Sequence, residues 1–155
     1  LWGAPNVLLQ KFMADEFMVT TKLKFTPNPN LENERVGLTV MGFSYANIAL
    51  KSKKDGNYII QTICKDAQNG KPEIEKVISK VNSTTVYFRV KVSAGAKCTF
   101  SYSLDGQEFT TTGDEFQAEF GRWIGAKVGI FATRETQIND SGFADFDWFR
   151  VEPLK

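Results

Sequence analysis

Histidine is missing from this sequence altogether; none of the 155 residues is one. Its absence excludes Ser-His-Asp and Cys-His catalysis, histidine-ligated zinc and imidazole acid–base work. Any chemistry here would have to run on carboxylates. Cysteine is nearly as scarce: Cys64 and Cys98, in IQTICKD and AKCTFSY, sit among apolar and β-branched neighbours. They read as small strand residues, at least partly buried; a disulfide between them stays open, and with it the redox compartment and localisation. No apolar run approaches the ~20 residues that span a bilayer, and none has the make-up of a signal-peptide core. Net charge is only +1, with both signs interspersed. The one basic cluster, Lys51-Ser52-Lys53-Lys54 before Asp55-Gly56, reads as a solvated hairpin tip. Neither a nucleic acid nor a membrane is expected as a partner.

What remains is the composition of an ordinary globular protein, 42% hydrophobic and 24% charged. The length suits one domain with a sizeable core, and residues 1–155 are read as a single unit. The chain opens on Leu1 rather than methionine, so the expectation is a piece of a longer protein.

Strand signals dominate. Phe17, Val19, Thr21, Leu23 and Phe25 alternate with Met18, Thr20, Lys22, Lys24 and Thr26, a period-two pattern with one face more apolar. Val36 to Met41, Tyr45 to Lys51, Tyr58 to Cys64, Thr85 to Val92, Cys98 to Leu104, Lys127 to Thr133 and Phe143 to Val151 continue in kind. Asp55-Gly56, Asn69-Gly70 and Asp105-Gly106 are turn dipeptides, and Pro27-Asn28-Pro29-Asn30 a longer loop. Gly37 and Gly129, each inside an apolar strand, mark a bulge or a close approach of another segment. The single place for a short helical turn is Glu115 to Trp123. About ten strands without helices to cover them imply two antiparallel sheets packed face to face: an all-β sandwich, of jelly-roll type.

The closing stretch GFADFDWFRV holds Asp145 and Asp147. On a strand, residues two apart share a face at about 6.6–6.8 Å, near the spacing of glycosidase carboxylate pairs. Ala144, Phe146 and Trp148 would then lie on the other face, with Trp148 in the core. The next position on the acidic face, Phe149, carries no acid, which argues against strand catalysis. Structural calcium is the better chemical use, with Asp147 and an acid near the start of the chain, Asp15 or Glu16, among its oxygen ligands. Caps, backbone amides and basic side chains are the plainer partners. Glu32 with Glu34, and Asp114 with Glu115, read as solvated loop acids. Among the aromatics, Tyr45 and Trp123 are the rings to consider as a sugar platform, because a pyranose face packs on a π-surface.

The order of motifs is more specific than any one of them. LLQKFMADEFMVTTKLKFTP, ERVGLTVMGFSYANIAL, FSYSLDGQEF, FGRWIGAKVGIFATR and GFADFDWFRV together resemble the C-terminal sandwich domain of glycoside hydrolase family 43, from about Asn6 to Val151. That family comprises β-xylosidases and α-L-arabinofuranosidases. The resemblance implies a concanavalin A-like jelly roll packed against a separate, cis-linked five-bladed propeller that carries the catalytic acids. It implies no catalytic residue here, and xylan-type carbohydrate as the ligand if this chain binds one. One string departs from the pattern: Ser44-Tyr45-Ala46-Asn47 stands where Asp-Tyr-Ala-Tyr is expected. Trp2 to Leu9, with Trp2 and Leu8 foremost, is the segment assigned to partner contact. The alternative function is an independent carbohydrate-binding module for xylo-oligosaccharides.

Overall fold

The computed structural model describes residues 1–4, 6–121, 125–136 and 138–154. Eleven strands run in chain order: β1 (Val7–Lys11), β2 (Phe17–Thr26), β3 (Arg35–Met41), β4 (Tyr45–Lys53), β5 (Gly56–Cys64), β6 (Ile74–Val81), β7 (Thr85–Ser93), β8 (Lys97–Ser103), β9 (Thr110–Gln117), β10 (Lys127–Thr133) and β11 (Phe143–Pro153). They form a six-stranded sheet, β1-β10-β3-β4-β5-β6, and a five-stranded sheet, β11-β2-β7-β8-β9. All pairings are antiparallel. The sandwich expected from the sequence is therefore the fold.

The alternation in each strand is what allows the two layers to close. Val36, Leu38 and Val40 of β3, Ala46, Ile48 and Leu50 of β4, and Val128 of β10 face Val19 and Leu23 of β2 and Val86, Phe88 and Val90 of β7 in one continuous core. Fully burying a side chain of this kind contributes about 1.5–3 kcal/mol.

Three sequence expectations change. Three strands, β1, β6 and β9, carry no strand signal in the sequence. The helical turn assigned to Glu115 to Trp123 is strand as far as Gln117; the helical turn among the described residues is a 3-10 turn at Ala67–Asn69 instead. Cys64 and Cys98 are buried and unpaired, and burial pushes the Cys98 thiol up to about 12. Gly129 does mark a close approach, since a Cβ there would lie 1.8 Å from the Leu8 carbonyl oxygen on β1.

Glu34, a solvated loop acid by its sequence context, is instead 3% exposed. Its two carboxylate oxygens accept the backbone N–H of Asn28 at 2.7 Å and of Gly142 at 2.6 Å. It thereby ties the β2–β3 loop to the segment entering β11. Gly142 has no room for a side chain, because a Cβ would meet the Thr26 carbonyl oxygen at 2.1 Å. Glu34→Gln places an amide against one of these N–H groups and strands a donor. The expected cost is about 1–3 kcal/mol, read as a lower urea midpoint with unchanged slope; an unchanged midpoint would remove the clasp role.

Candidate functional site

The two aspartates of β11 are separated by a register shift. Phe146 pairs with Leu23 and Trp148 with Lys22, leaving Asp147 as the extra residue of a β-bulge. In a bulge two successive residues oppose one on the neighbouring strand, so the alternation changes phase. Ala144, Phe146 and Phe149 pack on the core, while Trp148 turns to the outer face of the five-stranded sheet. There it meets Tyr87, with ring centroids 6.1 Å apart and planes at 52°. The core position expected for Trp148 is thus corrected, and the reason is the bulge. Its carbonyl is held by the buried Thr21 hydroxyl, which donates to the Trp148 oxygen at 2.7 Å.

The same shift decides the fate of Asp147. Its carboxylate lies 2.6 Å from Lys22 Nζ, and this hydrogen bond with its charge raises the Lys22 pKa. An exposed pair of this kind contributes under about 1 kcal/mol; its importance is that the carboxylate is occupied. The calcium assignment to Asp147 and Glu16 is corrected as well. Glu16 precedes Lys22 by six positions, about 20 Å along an extended strand, too far to share an ion. Glu16 instead accepts the Ala94 N–H at 3.0 Å. Among the described residues no three potential ligands cluster.

Tyr45, considered as a sugar-facing ring, is 2% exposed. On β4 it points opposite to Ala46, away from the core, but Leu1 and the turn at Ala67 pack over it. Its hydroxyl donates to Glu73 at 2.5 Å, and burial, then this contact, pushes its pKa up. Glu73 also receives Arg35 Nη1 at 2.8 Å. Burial acts to raise the Glu73 pKa, but the bonds from Arg35 and Tyr45 and the charge of Arg35 override it and hold the carboxyl at about 2. The rest of the divergent string is buried too. The Ser44 hydroxyl donates to Glu119 at 2.8 Å, and Asn47 is fully enclosed, with no partner for either amide atom among the described residues. Trp123 lies outside the described residues. Trp2 and Leu8, assigned to partner contact, are 46% and 72% exposed.

A second surface feature was not read from the sequence. At one end of the sandwich an apolar cleft of about 680 Å³ is lined by Phe12, Met13, Ala94, Ala96, Ala118 and Phe120, among others. Met13 is 47% and Phe120 78% exposed. Its signal in the sequence is Phe12, Met13 and Phe120, three large apolar residues in connections where loops are normally polar.

Two outcomes are expected. Thr21→Val leaves the bulge carbonyl unpaired and destabilises by about 1–3 kcal/mol, whereas Thr21→Ser restores most of that; equal midpoints for both variants would count against the assignment. The low pKa of Glu73 stabilises the fold above the ordinary value of 4.5, and that stability is lost as pH falls toward about 2. Glu73→Gln should therefore flatten the acid limb of a melting-temperature profile between those two values, and an unaltered limb would refute this.

The family model for the β-xylosidase C-terminal concanavalin A-like domain matches residues 1–152. A β-xylosidase of Formosa agariphila is 25% identical over 152 residues, which cover 97% of this chain and 24% of the relative. A bifunctional GH43-CE protein of Bacteroides eggerthii superposes with a TM-score of 0.79 at 21% identity, over 98% of this chain and 19% of its own. A GH43 protein of Bacillus licheniformis does so at 0.77 and 19%, over 97% and 30%. These structural likenesses show the sandwich fold, and the chain spans about a quarter of the curated relative's length. The family match over nearly all of the sequence goes further: this chain belongs to the concanavalin A-like domains of the β-xylosidase C-terminus.

Proposed function

We propose that the chain is a non-catalytic accessory domain of a family 43 glycoside hydrolase that acts on xylan- or arabinoxylan-type glycosidic bonds. It packs against a cis-linked, five-bladed catalytic propeller. The observation that carries this reading is the family match over residues 1–152 together with the 24% share of a β-xylosidase that the chain spans. The carboxylates support it: Asp147 is neutralised by Lys22, and Glu34 and Glu73 are engaged in holding loops and side chains. None is paired with a second free acid in the manner of a glycosidase.

The docking surface we assign is the apolar end with Phe120 and Met13, extended along the β1 edge by Leu8 and toward the chain start by Trp2. These side chains are exposed here and give a hydrophobic patch of the kind that a neighbouring domain covers. The alternative, an independent module for xylo-oligosaccharides, loses Tyr45 as an exposed ring.

Mixing this chain with its parent's catalytic domain, expressed separately, should give a one-to-one complex in analytical ultracentrifugation. The double change Phe120→Ser and Met13→Ser should weaken it about tenfold or more while leaving the chain's own melting temperature in place. Absence of a complex, with no gain in catalytic-domain stability or kcat/KM, would sink the accessory reading. Saturable heat on titration with neutral xylohexaose would favour the alternative.

A further inference from the structure

The outer face of the five-stranded sheet carries two arginines in an unusual setting. Arg150 of β11 and Arg89 of β7 both pair in register with Thr20 of the intervening β2. Their Cα atoms therefore stand two strand spacings apart, about 9.5 Å, with side chains on one face. Each guanidinium lies on an aromatic ring: Arg150 Cζ is 4.2 Å from the Trp148 ring centroid, and Arg89 Cζ is 3.5 Å from that of Phe109. Arg89 Nε also donates to Thr20 Oγ1 at 3.0 Å.

Among the described residues neither arginine has a carboxylate partner, whereas Arg35 and Arg134 are paired with Glu73 and Asp140. Burial acts against the charge of Arg89 and lowers its pKa, with only the more distant Glu152 opposing that effect. A guanidinium stacked on a ring holds its N–H groups fixed in plane, the geometry that takes a carboxylate in bidentate fashion; with Nε of Arg89 committed to Thr20, its two Nη groups form that fork.

The rings beneath are themselves held. Trp148 is turned outward by the bulge at Asp147 and leans on Tyr87. The turn at Gly106, with φ 80°, leaves no space over Tyr87, since a Cβ there would lie 2.8 Å from its Cζ. Asp105 Oδ1 accepts the N–H groups of Gln107 and Glu108 at 2.8 and 3.0 Å, which fixes the strand entry that carries Phe109. Between the two arginines lies a shallow hollow of about 150 Å³, with the Thr20 and Tyr87 side chains and the Glu152 carboxylate on its wall. That is below the roughly 300 Å³ at which drug-sized clefts begin, and it suits one ring rather than a chain of them.

We infer that this hollow binds a uronic acid residue, a pyranose bearing a carboxylate, presented as a charged branch or end of a polysaccharide. The carboxylate lies between Arg89 and Arg150, and the sugar hydroxyls meet Thr20, Tyr87 and Glu152. That the sugar acid is borne on a xylan-type chain rests on the function proposed above. The charge recognition rests on the arginines alone.

The test is a calorimetric titration of the 155-residue chain with a xylo-oligosaccharide carrying one glucuronosyl branch, beside neutral xylohexaose and free glucuronate. At low ionic strength the branched acid should bind at least about tenfold tighter than the neutral chain, with the gap closing as salt is raised. Free glucuronate should compete. Arg150→Gln, at an exposed position, should abolish the difference without lowering the melting temperature, and Arg150→Lys should recover only part of it, because the fork is lost. Equal affinity for acidic and neutral ligands, no binding of the acid, or an acid affinity indifferent to Arg150→Gln would each overturn the inference. Those outcomes leave the complex with a catalytic domain untouched, whereas failure of that complex with acid binding intact removes only the accessory role.

Discussion

Each sheet of this domain has one apolar face, and with a single 3-10 turn as its helix among the described residues, only the other sheet can cover it. Every other placement follows from that mutual burial. The inner faces are committed to the core, so the outer faces are where the two sheets differ. The six-stranded sheet carries a second, thin apolar layer of Ala49, Ile60 and Phe131 on which Leu1 and Val7 lie. The five-stranded sheet leaves its outer surface to arginines, lysines and aromatic rings. One sheet is thus closed on both sides, while the other keeps one side for solvent or a ligand.

Much of this was legible in the sequence, and the parts that were not share a location. Strands β2, β3, β4, β5, β7, β8 and β10 announce themselves through alternation because their inner positions are buried. The missed strands, β1, β6 and β9, each lie at an edge of their sheet. An edge strand buries little, so IEKVISKV and TTTGDEFQ owe the core few apolar positions and show a weak period. In β6 the apolar Ile74 and Val77 are themselves exposed.

The site is less legible in the sequence than the fold, for two physical reasons. A bulge of one residue reverses the facing of everything beyond it, and nothing in ADFDWF announces that Asp147 is the extra one; hence the expectation of Trp148 inside, and of Asp147 and Glu16 as ion ligands rather than a pair of Asp147 with Lys22. Burial on an outer face is also invisible to alternation. Tyr45 is on the face opposite the core, as its position requires, but residues more than twenty positions away in the chain fold over it. Glu34 looks like a loop acid because one of the N–H groups it satisfies belongs to Gly142, 108 positions away, a contact that no local pattern encodes. The family resemblance carried the reading past these gaps because it rests on motif order rather than on the facing of any single side chain.

The topology also dictates an order of events during synthesis. β1 has its one neighbour in β10, and β10 separates it from β3. As the chain leaves the ribosome, β3 through β6 can form their meander and β7 through β9 theirs, each from local hairpins. β1 must wait for residues 127–131, and the β11 side of β2 for residues 143–153. Such long-range pairing is slow to form and leaves apolar strands uncovered in the meantime. The emerging domain therefore spends most of its translation with two half-built sheets and an unplaced first strand, and it closes only when its last thirty or so residues arrive.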